Sequence, residues 1–179
     1  GRFGATFTIL RSFFEFDTSG ISATPTDATL KIHGRTTFGT SDSVIVVKGS
    51  QDSTLSTNDF GALDFSTPYS SEFSVTWNTS GYNNIPLNSD ALSDIASLST
   101  FKVVVINHDF DFSNSAPSLG TLRRNGVRYN EDTTANSDPI LSVTEASAGY
   151  GNDVIGVSSG NIDNVIGVAT ANIDNVIGS

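Results

Sequence analysis

The stretch ATLKIHG, residues 28–34, alternates apolar and polar side chains without a break. Leu30 and Ile32 fall on one side of an extended chain, and Thr29, Lys31 and His33 on the other. That period of two marks a strand with one buried face. Further on, SVIVVKG (residues 43–49) is a continuous apolar run of strand length. Such a run suits a central strand covered on both faces. One half-buried and one fully buried strand predict stacked layers of sheet.

Working outward, GATFTILRSFFEF (residues 4–16) is rich in β-branched and aromatic residues and predicts one strand, or two broken near Arg11. SEFSVTWN (residues 71–78) alternates again, with Phe73, Val75 and Trp77 on one face. FKVVVINHDFDF (residues 101–112) is the strongest strand signal, followed by the shorter GVRYN (residues 126–130) and DPILSVTE (residues 138–145). Only NSDALSDIASLS (residues 88–99) has helical spacing, with Ser89 as N-cap, Asp90 in the first turn, and Leu92, Ile95 and Ala96 sharing a face. About eight strands and one short helix predict an all-β, jelly-roll-like β-sandwich over residues 1–145. Residues 146–179 form a C-terminal repeat extension.

Composition agrees. Twelve Phe and 16 Gly in 179 residues favour strands and turns. A net charge of -10 argues against a nucleic-acid partner, because phosphate binding needs clustered Lys and Arg. Arg123, Arg124 and Arg128 make the only local basic cluster and are expected in a solvated loop. No apolar run approaches the ~20 residues that span a bilayer, so membrane insertion is not expected. With no cysteine there is no disulfide, thiolate zinc site or thiol nucleophile.

Arg11, Phe16, Asp17, Ser19 and Ile21, then Ala28 and Leu30, then Pro139, Leu141 and Val143 occur in an order that resembles the DNRLRE-type jelly-roll domain. That family occurs on secreted bacterial surface proteins and in related phage structural proteins, and Phe14 stands where it usually has leucine. The resemblance implies a jelly-roll sandwich, and a further strand upstream of Gly1 that this chain or another would supply.

The tail repeats with a period of eleven. Val154, Val165 and Val176 correspond, as do Ile155, Ile166 and Ile177, and Gly156, Gly167 and Gly178. The fixed glycine and the β-branched residues exclude a helical coil. The expected unit is a short strand, NVIGVA, and a turn at TANID. A unit this small cannot bury its own Val and Ile, so these six residues are assembly candidates that pack on neighbouring copies, the sandwich or other subunits, a flexible tail being the competing expectation. Endings of this kind resemble those of tailed-phage structural proteins, which implies other copies or other virion proteins as partners.

Several motifs invite chemistry. GVSSG (residues 156–160) matches a nucleophile elbow, but the next copy places Ala169 where Ser158 stood, so no catalysis is expected. STFK (residues 99–102) matches a Ser-x-x-Lys phrase without the helix that chemistry needs. Asp109 and Asp111, two apart in an expected strand, would share a face while Phe110 and Phe112 point to the core, making a candidate calcium site, with a solvated acidic face as the competing expectation. Trp77, Asn78 and Tyr82 are glycan candidates, since a flat ring offers apolar surface and amides bind hydroxyls. For Trp77, core packing beside Phe73 and Val75 is the competing expectation.

The sequence thus predicts a non-enzymatic virion component of a tailed phage, a capsid decoration or tail appendage. The alternative is a carbohydrate-binding or adhesive module, extracellular or on a bacterial surface.

Overall fold

The computed structural model describes residues 1–3, 5–39, 42–74, 76–120, 123–129, 136–146, 164–165 and 168–169. The chain divides into two compact units, Gly1–Thr144 and Glu145–Ser179. In the first, the strands are β1 (Arg2–Phe3), β2 (Thr6–Phe7), β3 (Ser12–Asp17), β4 (Asp27–Phe38), β5 (Val44–Gly49), β6 (Leu63–Pro68), β7 (Tyr82–Pro86), β8 (Thr100–Asn107), β9 (Arg124–Val127) and β10 (Ile140–Thr144). One α-helix, α1 (Ser89–Ser97), lies between β7 and β8.

Two antiparallel sheets carry the fold. One has the order β3-β8-β5-β6. In the other, β4 pairs with β7 over Thr29–His33 and with β10 over Asp27–Lys31, while β9 joins β4 farther along, at Gly34–Phe38. The chain crosses between sheets at β3–β4, β4–β5, β6–β7, β7–β8 and β8–β9, as a jelly-roll-like sandwich requires. β1 and β2 form a small separate hairpin, so the N-terminal aromatic run is broken before Arg11.

The alternation at residues 28–34 does what its period predicts. Ala28, Leu30 and Ile32 of β4 are wholly buried, and they join Ile85 of β7, Val44 and Val46 of β5, and Phe101, Val103 and Val105 of β8 in the inter-sheet core. β5 is covered on its other face too. Ile45 and Val47 pack with Val104 and Ile106 in a second cluster, which Phe13, Leu63 and Phe112 cover.

Some expectations are corrected. SEFSVTWN is not a strand; only Phe73 bridges, to Val44, and Val75 lies outside the described residues. β6 and β7 form in stretches that carry no clear strand signal. β7 is disguised because its buried Asn83 is polar, its amide donating to the carbonyls of Ile32 and Asn78 and its oxygen accepting from the Asn78 amide. The helix is capped by Asn88, not Ser89, through its side-chain oxygen on the amides of Asp90 and Ala91 at 3.1 Å. Arg124 belongs to a strand, and Arg123 sits 3.4 Å from Asp42, so the basic cluster is not a plain solvated loop. Gly34 marks a point of close approach: a Cβ there would stand 1.9 Å from the Asn78 carbonyl oxygen. No helix among the described residues is long and apolar enough to cross a membrane.

In the second unit, β11 (Asn164–Val165) pairs antiparallel with β12 (Val168–Ala169). NVIGVA is therefore not one continuous strand, as its β-branched content suggests, but two paired halves. Val154, Ile155, Ile166, Val176, Ile177 and the GVSSG serine lie outside the described residues, as does the side chain of Val165.

Two ties hold the periphery. The Thr144 carbonyl closing β10 accepts from the Thr26 amide at 2.8 Å and its hydroxyl at 3.1 Å. Asp94 of α1 meets the Lys48 ammonium at 2.6 Å and the Tyr69 hydroxyl, joining the helix to the first sheet. Burial works against the Asp94 charge, but the hydrogen bonds from Lys48 and Tyr69 outweigh it and hold the carboxyl below its ordinary 3.8. The stabilisation is then complete above that ordinary value and is lost as pH falls through the lowered one.

Leu30→Ala, in the wholly buried centre, is expected to cost about 2–5 kcal/mol in urea unfolding, and Leu119→Ala, at 68% exposure, less than about 0.5 kcal/mol. Asp94→Asn should lower stability at neutral pH and flatten its fall in acid, read as unfolding midpoints between about pH 5 and about pH 2.

Candidate functional site

At the end of β8 the chain leaves the extended path that the alternation of HDFDF predicts. Asn107 caps a π-helical turn, His108–Phe112, by accepting from the Phe110 amide at 2.7 Å, and the Ser113 amide closes it on the His108 carbonyl at 3.1 Å. The turn brings Phe112 back over the outer cluster. Asp109 and Asp111 do not project side by side, because a π turn does not share the two-residue period of a strand.

The two carboxylates go to different partners. Asp111, 8% exposed, receives a two-pronged contact from Arg11, with Nε 2.8 Å from Oδ2 and Nη2 2.7 Å from Oδ1. Arg11 also donates to the Phe60 carbonyl at 2.6 Å and lies over the rings of Phe60 and Phe65. Asp111 is thus a structural anion, which removes it from the calcium pair. Asp109 accepts from the Ser43 hydroxyl at 2.7 Å and lies 3.5 Å from Nδ1 of His108. Glu72 approaches the same nitrogen at 3.7 Å. Ser43 spends its hydroxyl on a carboxylate, not on an imidazole, so the trio is not ordered to activate a nucleophile.

The glycan candidates are parted as well. Trp77 is 3% exposed within the inter-sheet core, with its indole N–H donating to the Gly126 carbonyl at 3.0 Å. It presents no open ring to stack on a sugar; the core packing expected of it is observed, although the strand from which that was argued does not form. Asn78 holds a local turn by accepting from the Ser80 amide, and the Tyr82 hydroxyl sits 2.9 Å from the Asp138 carbonyl and 3.1 Å from that of Asn136. His33, edge-on to Tyr82, has Nδ1 2.7 Å from the Gly34 carbonyl, so that nitrogen carries the proton.

One end of the sandwich opens into a cleft of about 740 Å³. Val44, Val105, Val127 and Trp77 line its depth, and Phe7, Ile9, Leu10 and Phe38 its apolar sides. Phe7, Ile9, Leu10 and Phe38 are 45–62% exposed. A polar corner interrupts this lining: Asp42 faces Arg123, and its carbonyl accepts from the Asn125 amide at 2.7 Å. Burial raises the Asp42 pKa, with Arg123 opposing only in part. Asp111 and Arg124 also line the cleft, which is therefore largely apolar with charged groups at more than one place.

No family model, curated protein or solved structure matches the chain. The DNRLRE-type resemblance therefore rests on its motif residues alone. Sequence reasoning singled out Asp109 but missed Glu72 and Ser43, which lie far from it in the chain and carry no spacing signal. Arg11 was visible only as a motif residue.

Arg11→Met and Asp111→Asn are each expected to destabilise by roughly 3–5 kcal/mol, because each strands a buried partner. The double variant should cost less than the sum, and a double-mutant cycle in urea unfolding reads the coupling.

Proposed function

We propose that the chain is a non-enzymatic structural component of a tailed-phage particle, a capsid decoration or tail appendage. Its sandwich would be the displayed module, and residues 146–179 would assemble with other copies or with other virion proteins. One observation carries this reading: the eleven-residue repeat follows the sandwich as a separate compact unit, and its Asn164–Val165 and Val168–Ala169 halves pair as β-structure. A two-residue ladder is far too small to be stable in water by its own hydrogen bonds. Repeating the phrase supplies further apolar segments of the same shape, which suits packing between units.

The sandwich supports the same reading. Asp111, at the β8 end, is spent on Arg11 within the fold. The adhesive alternative is weaker, because Trp77 is part of the core.

In light scattering, the full chain is expected to be oligomeric, and the chain ending at Thr144 monomeric and folded. Val165→Asp with Val176→Asp in the full chain should dissociate the oligomer as the truncation does. A monomeric full chain, or an oligomer that survives both changes, overturns the assembly role.

A further inference from the structure

We propose that Glu72, His108 and Asp109 form a binding site for a divalent transition cation of the zinc type, independent of any role in assembly. One oxygen from each carboxylate and Nδ1 of His108 all lie within 4.8 Å of one another. The nitrogen is 3.7 Å from Glu72 Oε1 and 3.5 Å from Asp109 Oδ1. Those separations are too long for hydrogen bonds. They are close to the roughly 3.4 Å expected between two atoms that each stand about 2.1 Å from one tetrahedral zinc ion. Nδ1 is sealed from solvent and has no hydrogen-bond partner among the described residues, a costly state for a buried polar atom. A shared cation would satisfy the nitrogen and neutralise both carboxylates at once.

Three further features preorganise the group. The His108 ring stacks on Phe112, with centroids 5.6 Å apart and planes 22° from parallel, and its backbone amide donates to the Ser43 carbonyl at 3.0 Å. The Ser43 hydroxyl, 2.7 Å from Asp109 Oδ1, orients that carboxylate from behind. Phe73, next to Glu72, is fixed to Val44 by a reciprocal pair of backbone hydrogen bonds at 2.8 and 3.1 Å. The three ligands therefore descend from one short region where β5, β8 and the Phe73 bridge meet.

The donor set selects the ion class. One imidazole and two carboxylates suit zinc and its neighbours, whereas calcium requires six to eight oxygens. The Glu72 and Asp109 side chains are 42% and 39% exposed, so the remaining coordination positions face solvent.

The test uses the full chain, stripped with chelator and titrated with zinc chloride by calorimetry. Zinc is expected to bind one per chain, and a hundredfold excess of calcium should not displace it. His108→Asn and Glu72→Gln should each weaken zinc at least tenfold, and His33→Asn should leave it unchanged. Zinc should also shift the Nδ1 nitrogen resonance of His108 in NMR, and cobalt should show the visible absorption of a low-symmetry site. Glu72 is exposed, so its variant is expected to fold and keeps the test decisive if the His108 variant does not. No stoichiometric zinc binding, equal affinity in Glu72→Gln, loss of binding in His33→Asn, or displacement by calcium would each overturn the proposal.

Discussion

β5 and β8 are adjacent strands with apolar side chains on both faces, and each face needs its own cover. The inner face meets the second sheet through Leu30, Ile32 and Ile85. Among the described residues no further sheet packs on the outer face, and single side chains, Phe13, Leu63 and Phe112, cover it. At about 25 cal/mol per Å² of apolar surface removed from water, leaving Ile45, Val47, Val104 and Ile106 wet would forfeit several kcal/mol. Much of what lies around the sandwich follows from that requirement. The π turn after β8 is the device that returns Phe112 to this face, and β6 contributes Leu63.

The Arg11–Asp111 pair is a consequence of the same closure. Turning the chain back at residues 108–112 carries Asp111 inward, and a buried carboxylate without a partner would be prohibitively costly. Arg11 answers it with a bidentate contact while lying over Phe60 and Phe65, so one side chain ties the chain entering β3, the 3-10 helix Thr57–Gly61, β6 and the π turn. Such pairs rarely add much net stability over an apolar equivalent. Their use is to fix one arrangement of loops that apolar contacts alone would leave loosely specified.

What could be read from the sequence was set by how local the cause was. The alternation of ATLKIHG and the unbroken run of SVIVVKG report burial residue by residue, and both strands stand where they were expected. HDFDF shows the same alternation, yet the strand ends at Asn107, because the Asn107 cap and the distant Arg11 decide its path. β7 escaped notice because Asn83 substitutes side-chain hydrogen bonds for apolar burial. Trp77 carried two readings, and it lies in the core even though SEFSVTWN forms no strand. The cation cluster was half visible: Asp109 and His108 are adjacent, but Glu72 and Ser43 reach them only through the pairing of β5 with β8 and with Phe73.

The closing tie of β10 has a mechanical meaning. Any tension carried by residues beyond Thr144 enters the sandwich through that residue, where Thr26 holds its carbonyl twice. From there it passes to β4, whose Ala28 and Leu30 are wholly buried at the same end. Pull along the strand axis loads all five registered pairs from Ile140 to Thr144 together, whereas pull across it opens them one at a time, beginning at Thr26. The joint is therefore strong in shear and weak in peel, and the direction of pull decides how much force the sandwich can transmit.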